Sequence, residues 1–344
     1  MAPLGGVSLD FRNVMESKYR EILENYLRQQ TEDALYQGQK FSRKTIEHKI
    51  SPEEIISLHK SILTDISPDL PEEVFHSLDI LLEVMIGYGL AYREHQSLRH
   101  KQEELRSEIE IAANVQKNLL GTSIPQLTSI DVGAISVPAR QMNGDYYHFV
   151  QDENDNISIA IADVIGKGIP AAMCMSMIKY AMDSLPENRY DPSSVLENLN
   201  RVVEQNVDPS MFITMFYGMY NPANHCLYYA SAGHEPALYY DSKLDDFSEL
   251  QARGLLLGVD KKAKYRQYEK QVNVGDMVIL MSDGVTECRT DDGFIEKNRL
   301  TGYIMKYMHL SAQEIVQNVY KELEKLQHFQ LRDDFTLIIL KRNV

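Results

Sequence analysis

Four short segments of this 344-residue chain set an aspartate at the end or edge of an apolar run, often beside glycine. They are Asn143-Gly144-Asp145-Tyr146, Ile161-Ala162-Asp163-Val164-Ile165-Gly166-Lys167-Gly168, Leu280-Met281-Ser282-Asp283-Gly284 and Arg332-Asp333-Asp334-Phe335-Thr336. A strand end is a rigid mount, and neighbouring strands can bring several such ends to one point. Gathered carboxylates repel strongly unless a cation neutralises them. Oxygen-only ligands suit hard divalent ions such as Mg²⁺ or Mn²⁺. Two such ions about 3.5–4 Å apart can share a water and lower its pKa from about 15.7 toward roughly 7, which makes it a nucleophile for phosphorus. Each segment alone is weak, because Asp-Gly most often marks a turn. The run Gly166-Lys167-Gly168 lacks the GxxxxGK[ST] spacing, which excludes a P-loop. The combination and order of all four segments carry the reading.

The elements that must position these residues begin near Asp131. Strand-like runs, rich in β-branched and aromatic residues, cover Val132–Val137, Ile157–Ala162, Met211–Tyr220, Cys226–Ser231, Ala237–Tyr240, Met277–Met281 and Phe335–Leu340. Asn221-Pro222-Ala223-Asn224 reads as a hairpin turn, and helical patterns intervene at about 170–184, 192–206 and 311–327. This arrangement predicts an α+β fold of packed layers, not regular βαβ winding. The first hundred residues are helical throughout. Ser51-Pro52-Glu53-Glu54 supplies a cap hydroxyl, a first-position proline and acids for the positive end of the helix dipole. Leu70-Pro71-Glu72-Glu73 opens a further helix. Its apolar stretch Leu78 to Tyr92, interrupted by Asp79 and Glu83, reads as buried. Leu98, Leu105, Ala112 and Leu119 recur seven apart, with Ile109 and Val115 between them. That spacing reads equally as a coiled-coil seam and as an ordinary amphipathic helix. The predicted organisation is a disordered leader over 1–8, a helical bundle over 9–95, a helical linker over 96–122 and a β-rich domain over 123–344.

Composition narrows the classes of function. The net charge of −15 is spread over both halves of the chain and argues against nucleic-acid binding and against an anionic membrane surface. Cys174, Cys226 and Cys288 are odd in number and far apart, which excludes a disulfide framework and a cysteine-based zinc site. No run of about 18 apolar residues occurs. MAPLGGVS has neither the basic nor the apolar region of a signal peptide. The expected compartment is the cytoplasm.

Residues 131–344 resemble the metal-dependent protein phosphatases, the PPM family, in their SpoIIE-like bacterial branch. The motifs that carry the resemblance are Gly144-Asp145-Tyr146, the stretch Asp163 to Ala172, and Ser231-Ala232-Gly233-His234-Glu235-Pro236. They continue, in family order, with Gly254 to Gly258, Gly275-Asp276, Ser282 to Glu287 and Asp333-Asp334-Phe335-Thr336. The resemblance implies two β-sheets sandwiched between helices, and hydrolysis of phosphoserine or phosphothreonine on a protein with two Mn²⁺ or Mg²⁺ ions. By position it implies that Asp163 bridges the metals, that the Val164 carbonyl adds a ligand, and that Asp283 and Asp334 complete one shell. Asp145 is then bound directly or through water. Arg140 stands where some relatives place a phosphate-binding arginine, and Lys167 where many have histidine. The resemblance further implies a helical domain that forms a homodimer and binds an activating switch kinase. The implied substrate is a phosphorylated anti-anti-sigma factor.

Other residues have plainer readings. His234 offers a general acid but more simply fits a turn with a satisfied side chain, Met173, Met175, Met177 and Met182 fit core filling, and Cys288 fits packing because no base is evident. A noncatalytic signalling scaffold is the rival from another class, and the intact Asp163, Asp283 and Asp334 argue against it. A two-metal phosphodiesterase would show histidine-rich ligand motifs, which the ten histidines do not form.

Overall fold

The structure, a computed structural model, describes residues 9–48, 50–164, 168–184, 191–208, 211–290, 293–327, 329 and 331–343. The proposed leader over 1–8 lies outside them. The chain divides into two compact units, Met1–Leu105 and Arg106–Val344.

The first unit holds α1 (Leu9–Arg28), α2 (Glu32–Glu47), α3 (Pro52–Ile66) and the start of α4 (Glu72–Leu120), which contains the boundary between the units. The caps are local and behave as the residue types demand. Thr31 accepts from the Ala34 amide, and Ser51 accepts from the Glu54 amide ahead of Pro52. Tyr19 bonds His59 Nδ1 at 3.0 Å, and Arg93 meets Glu53 at 2.9 Å, tying α1 to α3 and α3 to α4. The stretch Leu78 to Tyr92 is helical but not buried as expected: Ile80 is 70% exposed and Val84 61%. Three short helices cover only part of so long a partner. One 18-residue window of α4 has a mean hydropathy of 1.4, enough by length and composition alone to cross a membrane.

The second unit is a four-layer sandwich. Its elements are β1 (Ile130–Val137), β2 (Asp145–Gln151), β3 (Ile157–Val164), α5 (Ile169–Asp183), α6 (Pro192–Asn206), β4 (Ile213–Asn221), β5 (Cys226–Ala232), β6 (Ala237–Asp241), β7 (Asp246–Leu250), β8 (Tyr268–Gln271), β9 (Met277–Met281), α7 (Asp283–Thr286), β10 (Arg289–Thr290), β11 (Gly293–Phe294), α8 (Lys297–Tyr307), α9 (Ala312–Leu326) and β12 (Phe335–Arg342). Two five-stranded antiparallel sheets run β1-β12-β9-β6-β7 and β2-β3-β4-β5-β8. Strand alternation assigns the faces. Ile157, Ile159 and Ile161 of β3 meet Val278, Leu280, Ile338 and Leu340 between the sheets. Ala160, Ala162 and Val164 turn outward under Ala171, Met175 and Ile178 of α5 and Leu196 and Leu199 of α6. On the other side Ile279, Met281, Leu337 and Ile339 pack under Leu300, Ile304, Ile315 and Val319 of α8 and α9.

The expected strands all form, within a few residues of their predicted ends. The strands β2, β7 and β8 and the two-residue β10 and β11 escape the sequence reading; β2, β7 and β8 are edge strands, and β7 and β8 are also short, with polar alternate residues. Met175 and Met182 are core, as expected, whereas Met173 is 69% exposed. All three cysteines are free and buried.

Candidate metal centre

The centre is built from the ends of four strands. Asp145 opens β2, and Asp163 lies directly opposite it near the end of β3. The Val164 amide donates to the Gly144 carbonyl at 3.2 Å, which closes the ladder at this end. Asp163 faces Thr214 on its other side. Asp334 precedes β12, and Asp283 follows β9 as the first residue of α7.

These strand ends belong to different sheets, and a polar lattice joins them. The hydroxyls of Ser136 and Thr336 bond at 2.9 Å, and Asn143 Nδ2 donates to Ser136 Oγ at 2.8 Å. The Thr336 amide donates to Ser282 Oγ at 3.0 Å, and the Ser282 amide returns a bond to the Thr336 carbonyl at 3.0 Å. Asp334 accepts from the Ala139 amide at 2.7 Å and from the Gly144 amide. Gly284 is required by contact: a Cβ there would stand 2.0 Å from the Asp334 carbonyl oxygen. The Asp-Gly pair that reads as a turn in sequence is a backbone-to-backbone junction between α7 and the segment before β12.

Electrostatics mark the same cluster. Asp145 is 3% exposed, and its Oδ2 has no hydrogen-bond partner. Burial pushes its carboxyl well above the usual range, and Asp163 and Asp334 push it further; the Ser282 and Thr336 hydroxyls oppose the shift. Burial also raises Asp283, assisted by the charges of Asp333, Glu287 and Glu235. A carboxylate so disfavoured is what a cation would stabilise. Among the described residues, no three acidic, histidine or cysteine side chains converge closely enough to hold a metal ion in this arrangement. The all-oxygen donor set and the orphaned Asp145 Oδ2 nonetheless fit a hard divalent ion.

A cavity of about 390 Å³ opens at this end, lined by Ile109, Arg140, Gly144, Gly168, Arg332, Asp333 and Asp334 among others. Of the site residues singled out in sequence, Asp334, Arg140 and Ile109 line this cavity. Lys167 lies outside the described residues. Leu98, Leu105 and Leu119 are more than half exposed on α4. His234 is buried, with Nδ1 2.9 Å from the Thr214 hydroxyl, and burial lowers its pKa to about 4; a structural, neutral imidazole fits this better than an acid. Asp276 is not part of the cluster. It accepts from the Ser242 amide, the Ser242 hydroxyl and the Asn273 amide at 2.7–2.9 Å, and from Tyr239. Arg332, Asp333 and Glu235 were not assigned from sequence. Asp333 stood in the Asp-Asp pair, but adjacency alone could not say which acid faces Asp283.

The fold is that of the PP2C class of phosphatase domain. The SiaA-PP2C domain of Pseudomonas aeruginosa superposes with a TM-score of 0.60 at 19% identity, covering 71% of this chain and 98% of that one. The PP2C domain with a regulatory fragment of SpoIIE from Bacillus subtilis gives 0.53 at 19%, covering 63% and 64%. Residues 153–343 match the family described as Stage II sporulation protein E, and residues 17–91 match the phosphoserine phosphatase RsbU N-terminal domain. The phosphoserine phosphatase RsbU of Bacillus subtilis is 62% identical over 336 residues, 98% of this chain and 100% of that protein. The chain belongs to the RsbU family.

Proposed function

We propose that this protein is a regulated, metal-dependent phosphatase that removes phosphate from phosphoserine or phosphothreonine on an anti-anti-sigma factor of the RsbV kind. The observation that carries the reading is the buried Asp145, set opposite Asp163 across the β2–β3 ladder and disfavoured as a carboxylate by the charges of Asp163 and Asp334, on a chain collinear with RsbU. In this reading Asp145, Asp163, Asp283, Asp334 and the Val164 carbonyl hold two Mn²⁺ or Mg²⁺ ions. The structural neighbour RsbX, solved in complex with magnesium, supports the metal class (TM-score 0.50, 16% identity, 64% and 99% coverage). Bound divalent ions offset the carboxylate charge and acidify a coordinated water. The chain's own contribution is to hold the carboxylates on rigid strand ends and to present Arg140 and Arg332 to the phosphate across the cavity.

Regulation belongs to the helical region. In this reading residues 9–95 dimerise and bind an RsbT-like switch kinase, which activates the phosphatase through the linker at 96–122. The uncovered apolar residues of α4, Ile80, Val84, Tyr88 and Tyr92, supply a surface for a second copy. Such a protein works in the cytoplasm, without a membrane or nucleic-acid partner. The decisive assay is phosphate release from a phosphoserine protein with and without Mn²⁺. Metal-dependent release supports the reading; none, with the partner present, leaves the noncatalytic scaffold. Deleting residues 1–95 should abolish the response to the partner.

A further inference from the structure

The end of α4 is bonded to the turn that carries Asp145. Gln116 lies one turn before the helix ends at Leu120 and is 6% exposed. Its Oε1 accepts the Asn143 amide N–H at 3.1 Å, and its Nε2 donates to the Asn143 carbonyl at 2.8 Å. The same Nε2 is 3.7 Å from Sδ of Met175, a fully buried residue of α5. One side chain therefore pairs both backbone groups of one residue, as a neighbouring strand would.

Asn143 passes this restraint to the site. Its Oδ1 accepts the Asp145 amide at 2.9 Å, and its Nδ2 donates to Ser136 at 2.8 Å. The next amide, Gly144, donates to Asp334. The backbone at 143–145 is thus held from three directions: by α4 through Gln116, by β1 through Ser136, and by the segment before β12 through Asp334. Only the first of these depends on a single side chain that makes both bonds. Leucine would fill the space and leave both Asn143 groups without Gln116 as partner; glutamate would keep an acceptor and lose the donor.

We propose that Gln116 is a positioning residue of the metal centre: it fixes Asn143 so that Asp145 and the Gly144 amide keep their places. The inference rests on the metal-dependent reading above. The alternative is that Gln116 only fastens a helix end, and metal affinity separates the two. Outer-shell partners of metal ligands typically set about 10–100-fold in affinity. Gln116 acts one residue further out, so the lower end of that range applies.

The test uses the full-length chain, Mn²⁺ alone as titrant in calorimetry, and amide exchange at Gly144 and Asp145. Gln116→Leu should weaken Mn²⁺ binding by about 10-fold and speed exchange at both amides. Gln116→Glu should fall between it and wild type. Asn118→Ala, an exposed change on the same turn, should match wild type. If both Gln116 variants bind Mn²⁺ like wild type with unchanged exchange, Gln116 merely packs and the proposal is overturned. Should Gln116→Leu fail to fold, Gln116→Glu decides by the same two readouts. If wild type binds no Mn²⁺, the metal reading itself fails, and exchange at Gly144 and Asp145 alone decides for or against Gln116 as their support.

Discussion

Asp145 and Asp163 are cross-strand partners: the first residue of β2 faces the penultimate residue of β3 in an antiparallel ladder. Like charges directly opposite one another destabilise a strand pair. Here one of the two is also buried, with an unpaired carboxylate oxygen. A sheet spends stability at this position, which is the pattern expected where function, not folding, sets the residue types.

Substituting a proposed ligand should separate catalysis from folding. Asp283→Asn nearly preserves volume and removes a charge that burial and three neighbouring acids already disfavour. Activity should fall by about 100-fold or more while the melting temperature holds or rises slightly. Asp334→Asn should also lose activity, but at a cost in stability, because Asp334 accepts from the Ala139 and Gly144 amides. Full Mn²⁺-dependent turnover by either purified variant would remove it from the ligand set.

Gly284→Ala tests the junction behind the site. The added methyl meets the Asp334 carbonyl, a backbone atom that cannot swing aside. Overpacking of this kind costs about 1–3 kcal/mol, and here it also displaces Asp334 from α7. Denaturant unfolding should report the stability loss, and turnover should fall with it. Unchanged turnover would mean that Asp283 and Asp334 need not be held together.

Asp276 provides a pH signature away from the site. Burial pushes its carboxyl upward, but bonds from Tyr239, Ser242 and Asn273 outweigh burial and hold it below its ordinary value of 3.8. A carboxyl lowered on folding contributes stability that is present above pH 3.8 and lost as pH falls through the folded value. Asp276→Asn should therefore cost about 1.5–3 kcal/mol at pH 7. The deficit should shrink in acid, which denaturant melts at pH 7 and pH 3 would read. A deficit independent of pH would assign the effect to shape, not charge.

Leu105→Glu tests the linker. In a paired seam it sets like charges across two chains, beside Glu103, Glu104 and Glu108. Partner-stimulated turnover at saturating Mn²⁺ should drop toward the unstimulated rate, with basal turnover retained. Normal stimulation together with an unchanged dimer in sedimentation would make the linker a passive spacer.

Much of this molecule is written in local spacing. The cap at Ser51, the hairpin at Asn221, most of the core strands and the four aspartate segments depend on residues within a few positions of each other. Chain-local periodicity and turn chemistry therefore suffice to find them. The family order of the motifs adds the phosphatase class. Spacing could not show that Asp145 faces Asp163, because register is settled by which face of each strand packs between the sheets. Nor could it show that Gly284 touches Asp334, that Asp333 and Glu235 surround Asp283, or that Gln116 holds Asn143. Gln116 sits in what reads as a linker, 27 positions from its partner, with no charge or motif to mark it. Contacts of that kind exist only once the sheets and helices have packed, since it is the packing that excludes water and leaves the Asn143 amide and carbonyl to bond the Gln116 side chain.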